Sequence, residues 1–189
     1  MNYRFVERIS IIVIIFAGLS CTRQVPVFGE NGMVVSTSRH ASQVGVDILK
    51  EGGNAVDAAV AVGFALAVTS SSNGNIGGGG FMVSKLSSGK IFTLDYREMA
   101  PSNAERDMYL DTDKNIIKDK SRKTHFASGV PGSVDGLLKA WRDYGSGNIS
   151  RVQLLAPAIS LAEEGFNLSE YEADRFNNNK DRLSQHSER

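Results

Sequence analysis

The stretch AVDAAVAVGFALAVTSS, residues 55–71, constrains the fold of this chain more than any other. It is almost all small and apolar, and Asp57 is its only charge. A helix of that composition has no polar stripe to turn toward water, so it must be buried on most sides. Its small side chains let neighbours approach closely, which suits packing against a sheet. Asn54 stands where an N-cap belongs, and Asp57 lies in the first turn, where the helix dipole favours an acid. Upstream, Arg39–Lys50 carries Ala41, Val44, Val46, Ile48 and Leu49 at mixed three- and four-residue spacings, the pattern of an amphipathic helix closed by Gly52-Gly53. GMVVSTS (32–38), before it, reads as a strand.

The glycine run Gly77 to Gly80 can be neither helix nor ordinary strand. FMVSKL (81–86) and KIFTLDY (90–96) are β-rich and joined by Ser87-Ser88-Gly89, a hairpin. SVDGLLKAWRDYG (133–145) is amphipathic and closes at Gly145. SRVQLLAPAISLAEEG (150–165) is apolar-periodic and closes at Gly165, with Pro157 expected near its first turn or at a kink. The tail, YEADRFNNNKDRLSQHSER, is polar and carries no stop signal for a completed domain. Helices and strands mingle, so the class is α/β or α+β.

With 189 residues, 41% of them hydrophobic, the chain is long enough for one domain with a real core. Lys+Arg and Asp+Glu are both 21, a balance that argues against a nucleic-acid partner. No CxxC, HExxH, heptad or solenoid repeat is present, so the expectation is no metal and no cofactor. The N-terminus is a separate object. Arg4 and Arg8 precede an apolar run from Ile9 to Leu19 that is too short to span a bilayer, so residues 1–20 read as a secretory signal. Cys21 is the only cysteine and sits where such a signal would be cut. Either cleavage before Cys21 leaves it lipid-modified and tethered to a membrane, or the signal is cut nearby and Cys21 is incidental. Gly18-Leu19-Ser20 is an imperfect lipobox. A lone cysteine makes no internal disulfide. Residues 21–31 then form a linker, residues 32–189 the folded part, and the expected location is outside the cytoplasm, in the periplasm.

Few residues are candidates for chemistry. No Gly-Lys-Ser/Thr follows the glycine run, and it leads into a strand instead of a helix, which disfavours a phosphate loop. Two readings remain: a tight backbone crossing, or amides presented to a substrate oxygen. His40, His125 and His186 have no partner at metal or triad spacing. Ser70-Ser71-Ser72 reads as a loop and Glu163-Glu164 as a solvated face. Arg97 differs, because it follows a strand, where site residues are often mounted. Its guanidinium could hold a carboxylate bidentately, with Asp95 or Glu98 fixing the fork. Spacing alone favours the plainer alternative, a structural ion pair with those acids.

GMVVSTSRHASQVGVDILKEGGNAVDAAVAVGFALAVTSSSNGNIGGGGFMV, followed by LDYREMAPSNAERDMYLD, ASGVPGSVDGLL and LLAPAISLAEEGFNLS, resembles the start of the γ-glutamyltranspeptidases, or glutathione hydrolases, over roughly residues 30–170. Ser71 departs from the proline that relatives often carry there, which touches loop stiffness more than chemistry. The resemblance implies an N-terminal-nucleophile hydrolase fold, a four-layer αββα sandwich, of which this chain matches the N-terminal part of the large subunit. It implies a precursor that cuts itself, a small subunit whose new N-terminal threonine attacks the γ-glutamyl amide, and γ-glutamyl substrates such as glutathione. It also implies that Arg97 binds the α-carboxylate of the γ-glutamyl group. The family's nucleophile, pocket serines, acid and oxyanion glycines have no counterpart before Arg189, so no catalytic residue is expected here and the chain alone is expected to be inactive. A truncated, non-catalytic binding piece and a β-lactam side-chain acylase of the same fold are the alternatives.

Overall fold

The computed structural model describes Pro26 and residues 28–184; the expected signal, Cys21 and His186 lie outside the described residues. Contacts divide the chain between Met33 and Val34, and the fold below is that of the larger unit.

Helix α1 (Arg39–Lys50) and helix α2 (Ala55–Thr69) form where the patterning expects them. Ser38 Oγ accepts from the Ala41 amide, and Gly52, at φ 92°, ends α1. Asn54 Oδ1 accepts from the amides of Val56 and Asp57 at 2.9 and 3.0 Å, and Asp57 Oδ2 accepts from the Asn54 amide at 2.9 Å. This reciprocal cap satisfies three otherwise orphaned donors. Asp57 is fully buried, and Oδ2 also accepts from the Ser146 amide at 2.9 Å, tying the start of α2 to a loop far along the chain. Its Oδ1 has no partner among the described residues.

Helix α2 is apolar all round because it is surrounded. It packs against α1 and against two helices introduced here, α4 (Ser133–Tyr144) and α5 (Arg151–Glu164); between α2 and α4 lies a short helix, α3 (Lys120–Lys123). Val56, Val60, Ala61 and Ala65 of α2 meet Ala41 and Ile48 of α1, Leu137 and Ala140 of α4 and Leu154 of α5 in one core.

The hairpin forms as read. Strands β1 (Phe81–Lys85) and β2 (Ile91–Asp95) pair antiparallel, with Phe81 opposite Asp95, Val83 opposite Thr93 and Lys85 opposite Ile91. One face, Met82, Phe92 and Leu94, packs toward the helices, and Phe92 stacks on Tyr144 at 3.6 Å between ring centroids. Phe81, Val83 and Ile91 on the other face are exposed.

Two local expectations are corrected. GMVVSTS is not a strand: Val34, Ser36 and Ser38 turn inward as in extended chain, but no ladder partner lies beside them among the described residues. Ser36 Oγ instead bonds the Ser38 carbonyl and Ser42 Oγ, each at 2.8 Å, the local side-chain bonding that competes with a sheet. Of the two places expected for Pro157, the first turn is not the one it takes: it lies inside α5, in the second turn. The N–H it lacks would have reached the carbonyl of Gln153, an exposed residue whose freed acceptor water can serve. The polar tail forms two further helices, α6 (Glu170–Asn178) and α7 (Lys180–Ser184), the first capped by Ser169 and Glu172.

Candidate functional site

Arg97 lies just past β2, and three backbone contacts fix its place. The Gly80 amide donates to the Tyr96 carbonyl at 3.3 Å and the Tyr96 amide to the Gly80 carbonyl at 3.0 Å, extending the ladder one residue beyond β2. The glycine run crosses directly over the segment: a Cβ at Gly79 would stand 2.6 Å from Arg97 Cα, Glu98 N and the Tyr96 carbonyl. The Gly78 carbonyl accepts from the Gly132 and Ser133 amides, at 2.8 and 3.0 Å, at the start of α4. The run is therefore a tight backbone crossing, the first of its two readings.

From the other side, Met99 and Val130 exchange backbone hydrogen bonds at 3.1 and 2.8 Å, drawing residues 126–131 alongside Arg97. The Tyr96 ring lies against Gly136 of α4, whose missing side chain leaves room for it. Burial pushes the Tyr96 hydroxyl above its ordinary pKa.

The guanidinium is held loosely. Arg97 Nε is 3.8 Å from Glu98 Oε2, the Arg97 side chain is 64% exposed, and its Cζ lies 5.8 Å from the Phe81 ring centroid. Asp95 takes the Arg97 backbone amide at 3.1 Å and not the side chain. The ion pair favoured by spacing thus exists only in weak form, with Glu98, and pairs of that exposure contribute about 0–1 kcal/mol. A cavity of about 640 Å³ opens beside Arg97, walled by Gly77, Met99, Met108, Tyr109, Phe126 and Ser128. Tyr109 donates to the Phe126 carbonyl at 3.0 Å and closes one wall. A smaller cavity, about 260 Å³, lies between Arg97 and the Asp135–Lys139 face of α4. One exposed cation at the rim of a cavity of mixed polar and apolar lining, which Glu98 shares, suits a small ligand whose carboxylate outcompetes that of Glu98.

The remaining candidates do not join this site. His40 Nε2 is 3.2 Å from the Asn167 carbonyl, and its ring meets Phe166 at 5.3 Å. His125 packs on Phe126. Ser70 caps the end of α2, Ser71 and Ser72 lie in the turn after it, and Glu163 and Glu164 are exposed. Among the described residues no cluster of His, Cys, Asp or Glu could hold a metal ion, and no helix is long and apolar enough to cross a membrane. Phe81 and the wall from Phe126 to Gly129 were not singled out as site residues from the sequence. The only signal for Phe81 is hairpin register, and the wall depends on the Met99–Val130 bridge, which no local pattern announces.

Known proteins resemble this chain in sequence and fold. The family model for γ-glutamyltranspeptidase matches residues 41–189. The glutathione hydrolase proenzyme of Pseudomonas sp. (strain A14) is 53% identical over 151 residues, 80% of this chain and 26% of that protein. The crystal structure of Helicobacter pylori γ-glutamyltranspeptidase superposes with a TM-score of 0.80 at 42% identity, over 86% of this chain and 46% of that one. A cephalosporin acylase from Bacillus halodurans gives 0.69 at 30% identity, over 87% and 30%. The chain spans about a quarter of the length of the curated relatives it matches. Its mixed helix-and-strand fold is part of the larger α/β fold of these proteins. On the family match and these likenesses, the chain belongs to the γ-glutamyltranspeptidase family.

Proposed function

We propose that this chain contributes the substrate-carboxylate clamp of an enzyme that hydrolyses or transfers γ-glutamyl groups, from glutathione and related compounds. The carrying observation is the Arg97 guanidinium: mounted on a rigid strand exit, loosely paired, and beside a cavity large enough for a small amino acid. The α-carboxylate of the γ-glutamyl group would displace the long contact to Glu98 and take the guanidinium in a two-bond fork. The substrate's γ-carbonyl is thereby set for attack elsewhere in the assembled enzyme.

The attack itself belongs to an N-terminal threonine outside residues 1–189, on a small subunit cut from the same precursor. Its hydroxyl forms a bond to the γ-carbonyl carbon while its own α-amine takes the proton. The amide C–N bond then breaks, the leaving amine departs with a proton, and an ester to the threonine remains. Water or an acceptor amine cleaves that ester and frees the nucleophile. Residues 1–189 by themselves bind but do not turn over substrate. Export through the N-terminal signal, and a lipid on Cys21, belong to the same proposal; intact mass of protein from its native source reads both.

The test is Arg97→Ala in the complete precursor. Losing one partner of a desolvated charge pair costs about 2–5 kcal/mol, so kcat/KM for γ-glutamyl substrates should fall by a factor on the order of 30 to several thousand while self-cleavage persists. Unchanged kinetics would remove the clamp from the proposal. The acylase reading is carried by fold alone, since the acylase is the more distant of the likenesses described.

A further inference from the structure

A groove of about 270 Å³ lies between the tail helices and the turn that follows α2, and it shares no residue with either cavity beside Arg97. Arg175 and Arg182 line it from the tail, and Ser71 and Ser72 line it from the turn. Phe176 and Leu183 add apolar surface. Sequence reading passed over the turn as a loop and the tail as polar, because only the fold brings the two together.

The cations of this groove are not neutralised by the fold. Arg182 has no hydrogen bond or ion pair to any described residue. Arg175 has one long bond, from Nη1 to the Tyr171 hydroxyl at 3.4 Å, and its Cζ lies 5.7 Å from the Tyr171 ring centroid. Glu172 is the one acid among the lining residues, and its Oε2 is taken by Ser169, the amide at 3.2 Å and the hydroxyl at 2.8 Å, in the cap of α6. It makes no ion pair with Arg175, although the two stand about one turn apart on the helix, where such pairs form. On the other wall, the Ser71 and Ser72 hydroxyls bond no described residue. Two unpaired guanidiniums on one groove repel each other. An anion between them removes that cost, and the hydroxyls supply further donors to it.

We propose that this groove is a binding site for a phosphate-type oxyanion, held by Arg175 and Arg182 from the tail and by the Ser71 and Ser72 hydroxyls from the turn. The tetrahedral class follows from the donor set. A planar carboxylate is filled by a single guanidinium fork, whereas two guanidiniums and two hydroxyls on separate elements match the larger number of oxygens on a phosphate group. Phe176 and Leu183, 41% and 47% exposed at the same groove, suit an organic body that carries the group. The site stands independently of the reading of Arg97. A ligand bound there ties the tail to the turn after α2, and that turn leads through residues 73–76 into the glycine crossing.

The test is a titration of the full chain, labelled with nitrogen-15, with inorganic phosphate in dilute solution at an ionic strength held constant by sodium chloride. The Nε–H resonances of Arg175 and Arg182 and the amides of Ser71 and Ser72 report on the groove, and Arg97 Nε–H is the internal reference. The expected result is that the four groove signals shift on one saturable curve while Arg97 stays. Arg175→Gln and Arg182→Gln should each weaken binding at least about fivefold. Ser71→Ala combined with Ser72→Ala, which leaves the helices untouched, should weaken it as well. Acetate should bind more weakly than phosphate, and an equal affinity would overturn the tetrahedral assignment. Phenyl phosphate should bind more tightly, and an equal affinity would overturn the organic body. If Arg97 moves in step with Arg175 and Arg182, the response is general screening and the site is overturned. It is overturned equally if no groove signal moves at phosphate concentrations on the order of tens of millimolar.

Discussion

Gly136 has room for a hydrogen and no more, because the Tyr96 ring occupies the space where a Cβ would stand. Gly136→Ala should therefore force the ring, and with it the backbone carrying Arg97, out of place. Overpacking of this kind costs about 1–3 kcal/mol, which urea unfolding of the variant will read directly. Tyr96 offers a second check at the same scale. Burial raises its hydroxyl pKa in the fold above the unfolded value, so the folded state favours the neutral phenol. The contribution is complete below the unfolded pKa of about 10 and is lost as pH rises through the folded value. The stability of Tyr96→Phe, subtracted from that of the parent, should therefore be flat at neutral pH and change only in alkali. A difference that already varies between pH 6 and 8 would refute burial as the cause. At this scale the sequence was legible where chemistry announces itself: Arg97 stands out at a strand exit among acids. Phe81 did not, since its approach to the guanidinium depends on how the hairpin and the following segment fold back.

Helices were the most legible elements because caps and periodicity are local. Asn54 and Asp57 mark the start of α2 within four letters of sequence, and the structure joins them as a reciprocal cap. The extended segment before α1 was not legible, because a strand exists only by virtue of a neighbour and hydroxyl side chains there bond locally instead. Helix α4 carries a testable electrostatic feature on its solvent side. Lys139 Nζ donates to Asp143 Oδ2 at 2.6 Å, and that hydrogen bond holds the Asp143 carboxyl below its ordinary pKa and the Lys139 ammonium above its own. For Asp143 the folded value is the lower one, so its contribution is present above the unfolded pKa of about 4 and disappears as pH falls through the folded value. Asp143→Asn should lower stability slightly at pH 7 and leave it unchanged at pH 2, measured by chemical denaturation at both. Both groups are exposed, so the effect should also shrink in high salt. A variant as stable as the parent at pH 7 and low salt would show that the pair contributes nothing.

For the unit from Val34 onward the least satisfied surface is the outer face of the hairpin. Phe81, Val83 and Ile91 are 63%, 76% and 66% exposed on one side of a two-stranded sheet whose other side is packed on helices. A hairpin with an open apolar face is marginal by itself, and its unpaired edges are templates for association. The alternating pattern of FMVSK and IFTLD foretold the hairpin, but not what covers it, since both of its faces carry apolar residues and the sequence does not rank them. The isolated chain should accordingly bind a hydrophobic dye and associate with rising concentration, as read by fluorescence and analytical ultracentrifugation. Replacing Val83 and Ile91 together by Lys should abolish both, with helix content unchanged in far-ultraviolet circular dichroism. In the complete precursor the same pair should do the opposite of help: if that face is buried there, two lysines would enter an apolar layer, and self-cleavage should fail or slow because the fold cannot close. A monomeric, dye-silent parent chain would refute an open apolar face on this hairpin. A double variant that self-cleaves normally would mean that no second layer rests on this hairpin, and the sandwich architecture implied for the whole protein would lose its support at that point.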